Sequence, residues 1–322
     1  MAVHPVLAQF VQKARDAGVP TPSQSTPEAA RALVAQLSLA LGSGVPVGSC
    51  SDVEIPTRAG AIPARLLLPH GRPAGLVTYL HGGGWVLARP SDYEVLARSL
   101  VAQSGCALLV PDYRLAPEHP FPAGLEDCED CLRWSHTQRE RLLGHPGPLV
   151  IAGDSAGANL ATVAARTLRG EVGLAGQVLI YPVADCDFDR ASYHEYGAGL
   201  PLTRDDMRWF FRHYALEPLW IDPRITPIHA PDLQGLPQAV VITAENDVLR
   251  DEGEAYAARL EAAGVPVTRR RYAGMTHGFI RLHDLVDTAG HAVRDLAADI
   301  SRLCGAPITA AAAKQQRMEE PR

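Results

Sequence analysis

Short apolar runs alternate with helical patterns over most of the chain. The runs predict eight strands, at residues 53–57, 62–68, 76–80, 106–110, 148–152, 177–181, 238–244 and 267–272. Strands separated by helix-sized segments are typical of parallel sheets, because each parallel connection must cross a face of the sheet. Only the first two runs are close enough to form a hairpin. The pattern therefore predicts an α/β chain with a mostly parallel, doubly wound, eight-stranded sheet.

Two segments fall outside this alternation and predict helices that cover the sheet. Residues 1–50 carry two apolar helical stripes, the second in a helix that begins at Thr26 and Pro27. The stripes comprise Val6, Leu7, Phe10, Val11 and Ala14, followed by Ala30, Leu33, Val34, Leu37 and Leu41. Residues 183–235 are too long for a simple crossover. Their clearest helix begins at Thr203, with Asp206 completing a capping box.

These patterns predict a division of the chain into a core domain and a helical cap. The core domain comprises residues 51–182 and 236–306, and the cap comprises residues 1–50 and 183–235. Residues 307–322 are of low complexity, and we expect a flexible tail there. A chain of 322 residues is long enough to bury a large core.

Composition excludes several classes of function. The net charge of −6 gives no electrostatic footprint for nucleic acid or for an anionic membrane. No stretch approaches the roughly 20 apolar residues of a membrane span, and the N-terminus lacks the pattern of a signal peptide. Six cysteines in so long a chain predict reduced thiols and a cytoplasmic protein. Cys128 and Cys131 lie within a helical pattern and have no second ligand pair, so we expect no metal there.

Two glycine motifs indicate the chemistry. Residues 153–157 read Gly-Asp-Ser-Ala-Gly, the G-x-S-x-G pattern in which a serine occupies a tight strand-to-helix turn. A buried strand precedes Ser155 and an alanine-rich helix follows it, as the motif requires. Residues 81–85 read His-Gly-Gly-Gly-Trp directly after another strand, which is typical of a loop that donates backbone N–H groups to an oxyanion. Together the motifs predict a serine hydrolase.

At these motifs the chain resembles the bacterial hormone-sensitive-lipase-like carboxylesterases (family IV) of the α/β-hydrolase fold. Further matches run in family order over residues 112–123, 181–182, 247–253 and 277–279, so the resemblance covers most of the chain. Ala158 and Val248 depart from the usual glycine and proline, and neither is a reacting group. The resemblance implies hydrolysis of short- to medium-chain acyl esters without a metal or an organic cofactor. The resemblance also makes a homodimer a candidate oligomeric state.

The predicted catalytic residues follow the order nucleophile, acid, histidine that this fold uses. Ser155 is the nucleophile, His277 the base and Asp247 the acid that orients the imidazole. Glu245 and Asp251 are nearby competitors of Asp247, but Asp251 and Glu252 fit better as first-turn acids of the next helix. We expect the backbone N–H groups of three residues to form the oxyanion hole, namely Gly83, Gly84 and Ala156.

The cap supplies the candidate residues of the substrate pocket. Several apolar residues share one face of the helix that begins at Thr203, and Trp209 lies on the opposite face. The candidates are Trp85, Leu202, Met207, Trp209, Phe210, Phe211 and Tyr214.

Two other functions stay open on sequence grounds. An amidase or arylformamidase would use the same triad and a similar glycine loop. A catalytically silent binding protein is the non-enzyme alternative. The intact serine, aspartate and histidine favour an active enzyme with a small-molecule ester as its partner.

Overall fold

A single mixed sheet forms the centre of the molecule. The computed structural model describes residues 2–305, so the predicted tail at 307–322 lies outside the described residues. The strands are β1 (Ser49–Thr57), β2 (Gly60–Leu68), β3 (Leu76–Leu80), β4 (Ala107–Pro111), β5 (Leu149–Asp154), β6 (Gly176–Ile180), β7 (Ala239–Asn246) and β8 (Val267–Thr276). All eight predicted strands are present.

The strand order confirms the predicted doubly wound topology. It is β1-β2-β4-β3-β5-β6-β7-β8, and every pair from β4 to β8 is parallel. The hairpin β1–β2 and the β2–β4 pair are antiparallel. The central strands β3 to β7 are buried along their full length, because helices cover both faces of the sheet.

Within residues 2–305, nine α-helices surround the sheet. They are α1 (Pro5–Asp16), α2 (Pro27–Leu39), α3 (Glu94–Ser104), α4 (Ala123–Leu143), α5 (Ala156–Thr167), α6 (Ala191–Tyr196), α7 (Arg204–Tyr214), α8 (Arg250–Ala262) and α9 (Asp287–Leu303). Short 3-10 helices lie at Pro22–Gln24, Pro90–Tyr93, Glu217–Leu219, Pro227–His229 and Phe279–Leu282. Two hydrophobic clusters result, one with α3 and α9 on one face and one with α4, α5 and α8 on the other. None of these helices is long and apolar enough to cross a membrane.

The N-terminal helices are less buried than their apolar stripes predict. Leu7 and Ala30 are buried, but Phe10 and Leu37 are 46% and 58% exposed. The prediction that the second helix buries Leu37 is therefore wrong, and Phe10 of the first stripe is exposed as well. Apolar periodicity identifies which residues share a side of a helix, and it does not show how much of that side a neighbour covers.

The clearest helix of residues 183–235 is α7, and its N-terminus also contacts the N-terminal segment. The Asp206 backbone N–H donates to Thr203 Oγ1 at 3.1 Å, and the Thr203 N–H donates to Asp206 Oδ2 at 3.0 Å. This is the predicted capping box. The other oxygen, Oδ1, accepts the N–H of Ser23 at 2.9 Å. One buried carboxylate therefore caps α7 and fastens the N-terminal segment to it. The division into domains stays a prediction.

Candidate active site

A sharp turn between β5 and α5 presents the predicted nucleophile. Ser155 has φ 55° and ψ −121°, a conformation that side-chain-bearing residues rarely adopt. The turn is too tight for a side chain on either flank. A Cβ on Gly153 would lie 2.5 Å from the backbone of Gly157, and a Cβ on Gly157 would lie 2.0 Å from the Leu80 carbonyl oxygen. Both glycines of the motif are therefore sterically required.

The structure brings the three predicted catalytic side chains into one hydrogen-bonded chain. His277 Nε2 is 3.0 Å from Ser155 Oγ, and His277 Nδ1 is 2.7 Å from Asp247 Oδ2. The other oxygen, Asp247 Oδ1, accepts the N–H of Leu249 at 3.0 Å. Asp247 follows β7 and His277 follows β8, so parallel strands deliver both groups to the carboxyl edge of the sheet beside the turn after β5.

The chain of hydrogen bonds also fixes the tautomer of the imidazole. A carboxylate only accepts hydrogen bonds, so the bond to Asp247 assigns the proton to Nδ1 and leaves Nε2 free to accept from the Ser155 hydroxyl. The Asp247 carboxylate is fully buried, whereas the His277 ring is 15% exposed. The Tyr181 ring packs beside the imidazole with centroids 4.6 Å apart. The imidazole is therefore held in place, with one edge left accessible.

The competing carboxylates have other partners. Glu245 accepts the N–H of Gly274 at 2.8 Å, and Asp251 accepts the N–H of Ser192 at 2.8 Å. Glu252 lies in the first turn of α8 as predicted, but it is fully buried and accepts the backbone N–H groups of Ala184 and Asp185 at 2.8 and 3.2 Å. Burial raises its pKa to about 8, although these hydrogen bonds oppose the rise. Glu252 thus braces the segment after β6, a role that helix-dipole reasoning missed.

The glycine loop after β3 packs directly on the serine turn. A Cβ on Gly82 would lie 3.0 Å from the Asp154 carbonyl oxygen, and one on Gly83 would lie 2.3 Å from the Leu87 carbonyl oxygen. Gly83 and Gly84 both have positive φ, at 117° and 60°. Only glycine combines these torsions with such close backbone approach.

His81 holds the start of the loop as a neutral ring. It is completely buried and stacks on Tyr113, with centroids 4.4 Å apart. Burial lowers the pKa of His81 to about 4, so the imidazole carries no charge at neutral pH. The Tyr113 hydroxyl donates to the His81 carbonyl at 2.7 Å, and His81 Nδ1 is 2.8 Å from the Gly82 carbonyl oxygen.

Asp154, beside the nucleophile in sequence, anchors the glycine loop. Its Oδ1 accepts the Gly82 N–H at 2.9 Å and the Tyr79 hydroxyl at 3.0 Å. Its Oδ2 accepts the hydroxyls of Tyr93 at 2.9 Å and Tyr181 at 3.4 Å. Burial raises the pKa of this carboxyl, whereas the tyrosine hydrogen bonds counteract the rise. The four donors come from separate elements, so no sequence spacing pointed to this network.

The predicted pocket residues separate into two groups. Trp85 stacks face to face on Tyr214 with centroids 4.3 Å apart, and Phe211 meets Trp85 edge-on at 5.2 Å. All three side chains are at most 1% exposed and form a closed aromatic cluster between the glycine loop and α7. Phe210 lies over the loop itself, because a Cβ on Gly84 would lie 2.1 Å from its ring.

The remaining three pocket candidates lie around this cluster. Leu202 and Met207 are buried, whereas Trp209 is half-buried and packs against Phe210 and His213. Trp209 is predicted to lie on the face of α7 opposite the apolar residues, and its partial exposure agrees with that position. Which of the seven residues contact a substrate stays a prediction.

Known proteins are similar to this chain in sequence. A family model described as "alpha/beta hydrolase fold" matches residues 77–281. The carboxylic ester hydrolase LipN of Mycobacterium tuberculosis is 39% identical over 251 residues, which are 73% of this chain and 65% of the relative. The ethyl acetate hydrolase of Pseudomonas putida is 35% identical over 303 residues, 90% of this chain and 95% of the relative.

The fold is also similar to that of solved esterase structures. A hyperthermophilic esterase from the archaeon Pyrobaculum calidifontis superposes with a TM-score of 0.89 at 38% identity, covering 94% of this chain and 99% of the other. The family match includes the glycine loop, the serine turn and both strand ends that carry the aspartate and the histidine. This chain therefore belongs to the α/β-hydrolase family, in the hormone-sensitive-lipase-like branch whose motifs it carries.

Proposed function

We propose that the protein is a serine carboxylesterase that hydrolyses short- to medium-chain acyl esters through a covalent acyl-enzyme. The observation that carries the proposal is the unbroken hydrogen-bonded chain from Ser155 through His277 to Asp247. The esterase names of its relatives support the choice of substrate class.

Acylation begins when Ser155 Oγ attacks the ester carbonyl carbon. His277 Nε2 accepts the hydroxyl proton as the bond forms, and the buried Asp247 carboxylate stabilises the resulting imidazolium. The same Nε2 proton then passes to the departing alcohol oxygen as the carbonyl–oxygen bond breaks. Deacylation repeats the cycle with water, which gives its proton to His277 and attacks the acyl carbon. The acid leaves, and Ser155 recovers its proton.

The oxyanion of both tetrahedral intermediates is assigned to the N–H groups of Gly83, Gly84 and Ala156. Ala156 opens α5, so the partial positive charge of the helix N-terminus adds to its donor. A single donor of this kind contributes about 3–4 kcal/mol to transition-state stabilisation. The Asp154 network holds the loop against the turn, so the donors are placed before the substrate arrives.

The aromatic side chains over the loop support the restriction to shorter acyl groups. Phe210 lies against Gly84, and Trp85, Phe211 and Tyr214 fill the space behind it. A long acyl chain would have to displace buried rings that pack against each other. Moving one ring out of contact costs on the order of 3 kcal/mol.

The test compares the hydrolysis of p-nitrophenyl acetate, butyrate, octanoate and palmitate by wild type, Ser155→Ala and the exposed control Ser51→Ala. We expect turnover that is highest on acetate to octanoate, unchanged in Ser51→Ala and lower by about 10⁶-fold in Ser155→Ala. Ester turnover equal in wild type and Ser155→Ala contradicts the proposal. Turnover of N-formyl arylamines without ester turnover identifies an amidase instead, and a palmitate optimum identifies a lipase.

A further inference from the structure

Three side chains of metal-binding type converge at the base of residues 183–235, outside the triad. Asp185 and Cys186 follow β6, and His229 ends the 3-10 helix Pro227–His229. One ligand atom of each lies within 4.8 Å of the other two. Asp185 Oδ1 and His229 Nε2 are 3.4 Å apart. The three groups come from near the start and the end of residues 183–235, the long excursion of the chain between β6 and β7.

Neighbouring contacts hold this frame in position. The Ile228 N–H donates to the Ala184 carbonyl at 3.0 Å, which ties the two ends of the excursion together. Glu252, in the first turn of α8, accepts the N–H groups of Ala184 and Asp185. Arg190 Nε donates to Asp185 Oδ2 at 2.9 Å, and the backbone N–H of Cys186 donates to Oδ1 at 2.8 Å, so this carboxylate is held with Oδ1 towards the imidazole. Partners that orient a ligand in this way strengthen metal sites.

The separations suit a small tetrahedral ion. Zinc bonds of 2.0–2.3 Å at tetrahedral angles place ligand atoms about 3.3–3.8 Å apart. The widest separation therefore needs to contract by about 1.5 Å at most. His229 is 45% exposed and can make this movement without disturbing the core, whereas Asp185 is 4% exposed and stays fixed.

The charges balance in favour of a cation. A Cys186 thiolate and the Asp185 carboxylate together carry two negative charges, and Arg190 offsets one of them. The remaining negative charge favours a cation, and the sulfur and nitrogen donors select against magnesium and calcium, which prefer oxygen ligands. His229 contributes as the neutral imidazole.

We infer that Asp185, Cys186 and His229 form a zinc-binding site that clamps together the two ends of residues 183–235. On binding, the Cys186 S–H bond breaks, its proton leaves to solvent and the sulfur electron pair forms the bond to zinc. No oxidation takes place. Water completes the tetrahedron. The site is independent of the proposed esterase reaction.

Cobalt(II) is the probe, because thiolate-bound cobalt has a charge-transfer absorption that oxygen-bound cobalt lacks. The variants Cys186→Ser and His229→Gln remove one ligand each. The matched controls are Cys50→Ser, the other half-buried cysteine, and His194→Gln, an exposed histidine beside Asp189. We expect one equivalent of cobalt to give the band in wild type and both controls, zinc to displace it, and both ligand variants to lose it.

A thermal readout separates the site from the reaction. Zinc at a hundred times its Kd should raise the Tm of wild type by roughly 3–8 °C and leave that of His229→Gln unchanged. His229 is at the surface, so this variant folds even if Cys186→Ser does not. No band in wild type, a band that persists in Cys186→Ser, or an equal rise in Tm in His229→Gln would overturn the inference. Ester hydrolysis by the metal-free protein bears only on the proposed function.

Discussion

Asp154 is next to the nucleophile in sequence, yet its carboxylate serves the glycine loop. It accepts hydrogen bonds from one backbone N–H and three tyrosine hydroxyls in a fully buried position. A carboxylate is well suited to this position because both of its oxygens only accept. An isosteric amide would turn one oxygen into a donor and face it towards other donors.

We therefore expect Asp154→Asn to disturb the proposed oxyanion hole without touching the substrate. The predicted result is a kcat lower by about 10–100-fold with KM nearly unchanged, and a free energy of unfolding lower by about 1–3 kcal/mol. Steady-state kinetics and urea unfolding measure both. Asp205→Asn, an exposed aspartate on α7, is the control and should change neither. Wild-type kcat in Asp154→Asn would show that the loop keeps its position without the carboxylate.

Glu252 makes the stability of the protein depend on pH. The folded protein keeps this carboxyl protonated up to about pH 8, whereas the unfolded chain releases the proton near pH 4.5. Unfolding therefore releases a proton between these values, and the free energy of unfolding falls as the pH rises, by up to about 1.4 kcal/mol per pH unit.

Glu252→Gln should remove this dependence, because its amide oxygen can still accept both backbone N–H groups. Urea unfolding at pH 5 and pH 8 measures the difference. We expect the stability of the variant relative to wild type to rise by about 2–4 kcal/mol between the two pH values. The exposed Glu54→Gln serves as the control and should follow wild type. Parallel curves for wild type and Glu252→Gln would mean that Glu252 ionises normally in the fold.

At the scale of elements, α7 connects the N-terminal segment with the glycine loop. Its first turn is fixed by Asp206, which caps the helix and accepts the Ser23 N–H. Its buried face places Phe210 on Gly84 and Tyr214 on Trp85. The two ends of this helix therefore have separable roles, one in attachment and one in shaping the site.

The attachment is tested by Asp206→Ala with Asp205→Ala as its neighbour in the same turn. Both changes remove a negative charge from the helix N-terminus, but only Asp206 makes the cap and the Ser23 contact. We expect Asp206→Ala to lose about 1–2 kcal/mol of stability and to be cut several-fold faster by trypsin after Lys13 and Arg15. Equal cleavage rates in the two variants would contradict the attachment.

The shaping role is tested by Phe210→Ala, and this prediction depends on the proposed esterase reaction. Removing the ring opens space above Gly84, so the preferred p-nitrophenyl ester should become longer by two or more carbons. Phe188→Ala, a buried ring that contacts Phe211 and Trp220, is the control. Both variants should lose about 3–5 kcal/mol of stability, and only Phe210→Ala should change the chain-length profile. An unchanged profile would remove Phe210 from the pocket.

At the scale of the whole molecule, the strands and the sheet class could be read from the sequence. Apolar runs located all eight strands, and the G-x-S-x-G and glycine motifs located the turn and the loop that the structure places together. Contacts between elements that lie far apart in the sequence could not be predicted from it. The tyrosines around Asp154 come from β3, from the 3-10 helix before α3 and from the residue after β6. The burial of Glu252 depends on the segment around Ala184 that packs against it.

The homodimer and the cytoplasmic location stay predictions. Strand ends were the least accurate local feature. β8 continues to Thr276, four residues past its predicted end, because pairing with β7 resumes after a register shift between Ala244 and Asn246. That extension carries the backbone directly to His277.

The hydrogen bond between Ala184 and Ile228 has a consequence for how such enzymes diversify. The polypeptide passes the same point twice, at Ala184 after β6 and at Ile228 before β7, so the 43 intervening residues begin and end in the same place. Their number and sequence can change without altering the strands that carry the serine, the aspartate and the histidine. This part of the chain can therefore vary over evolution while the strands that hold these three side chains are inherited intact.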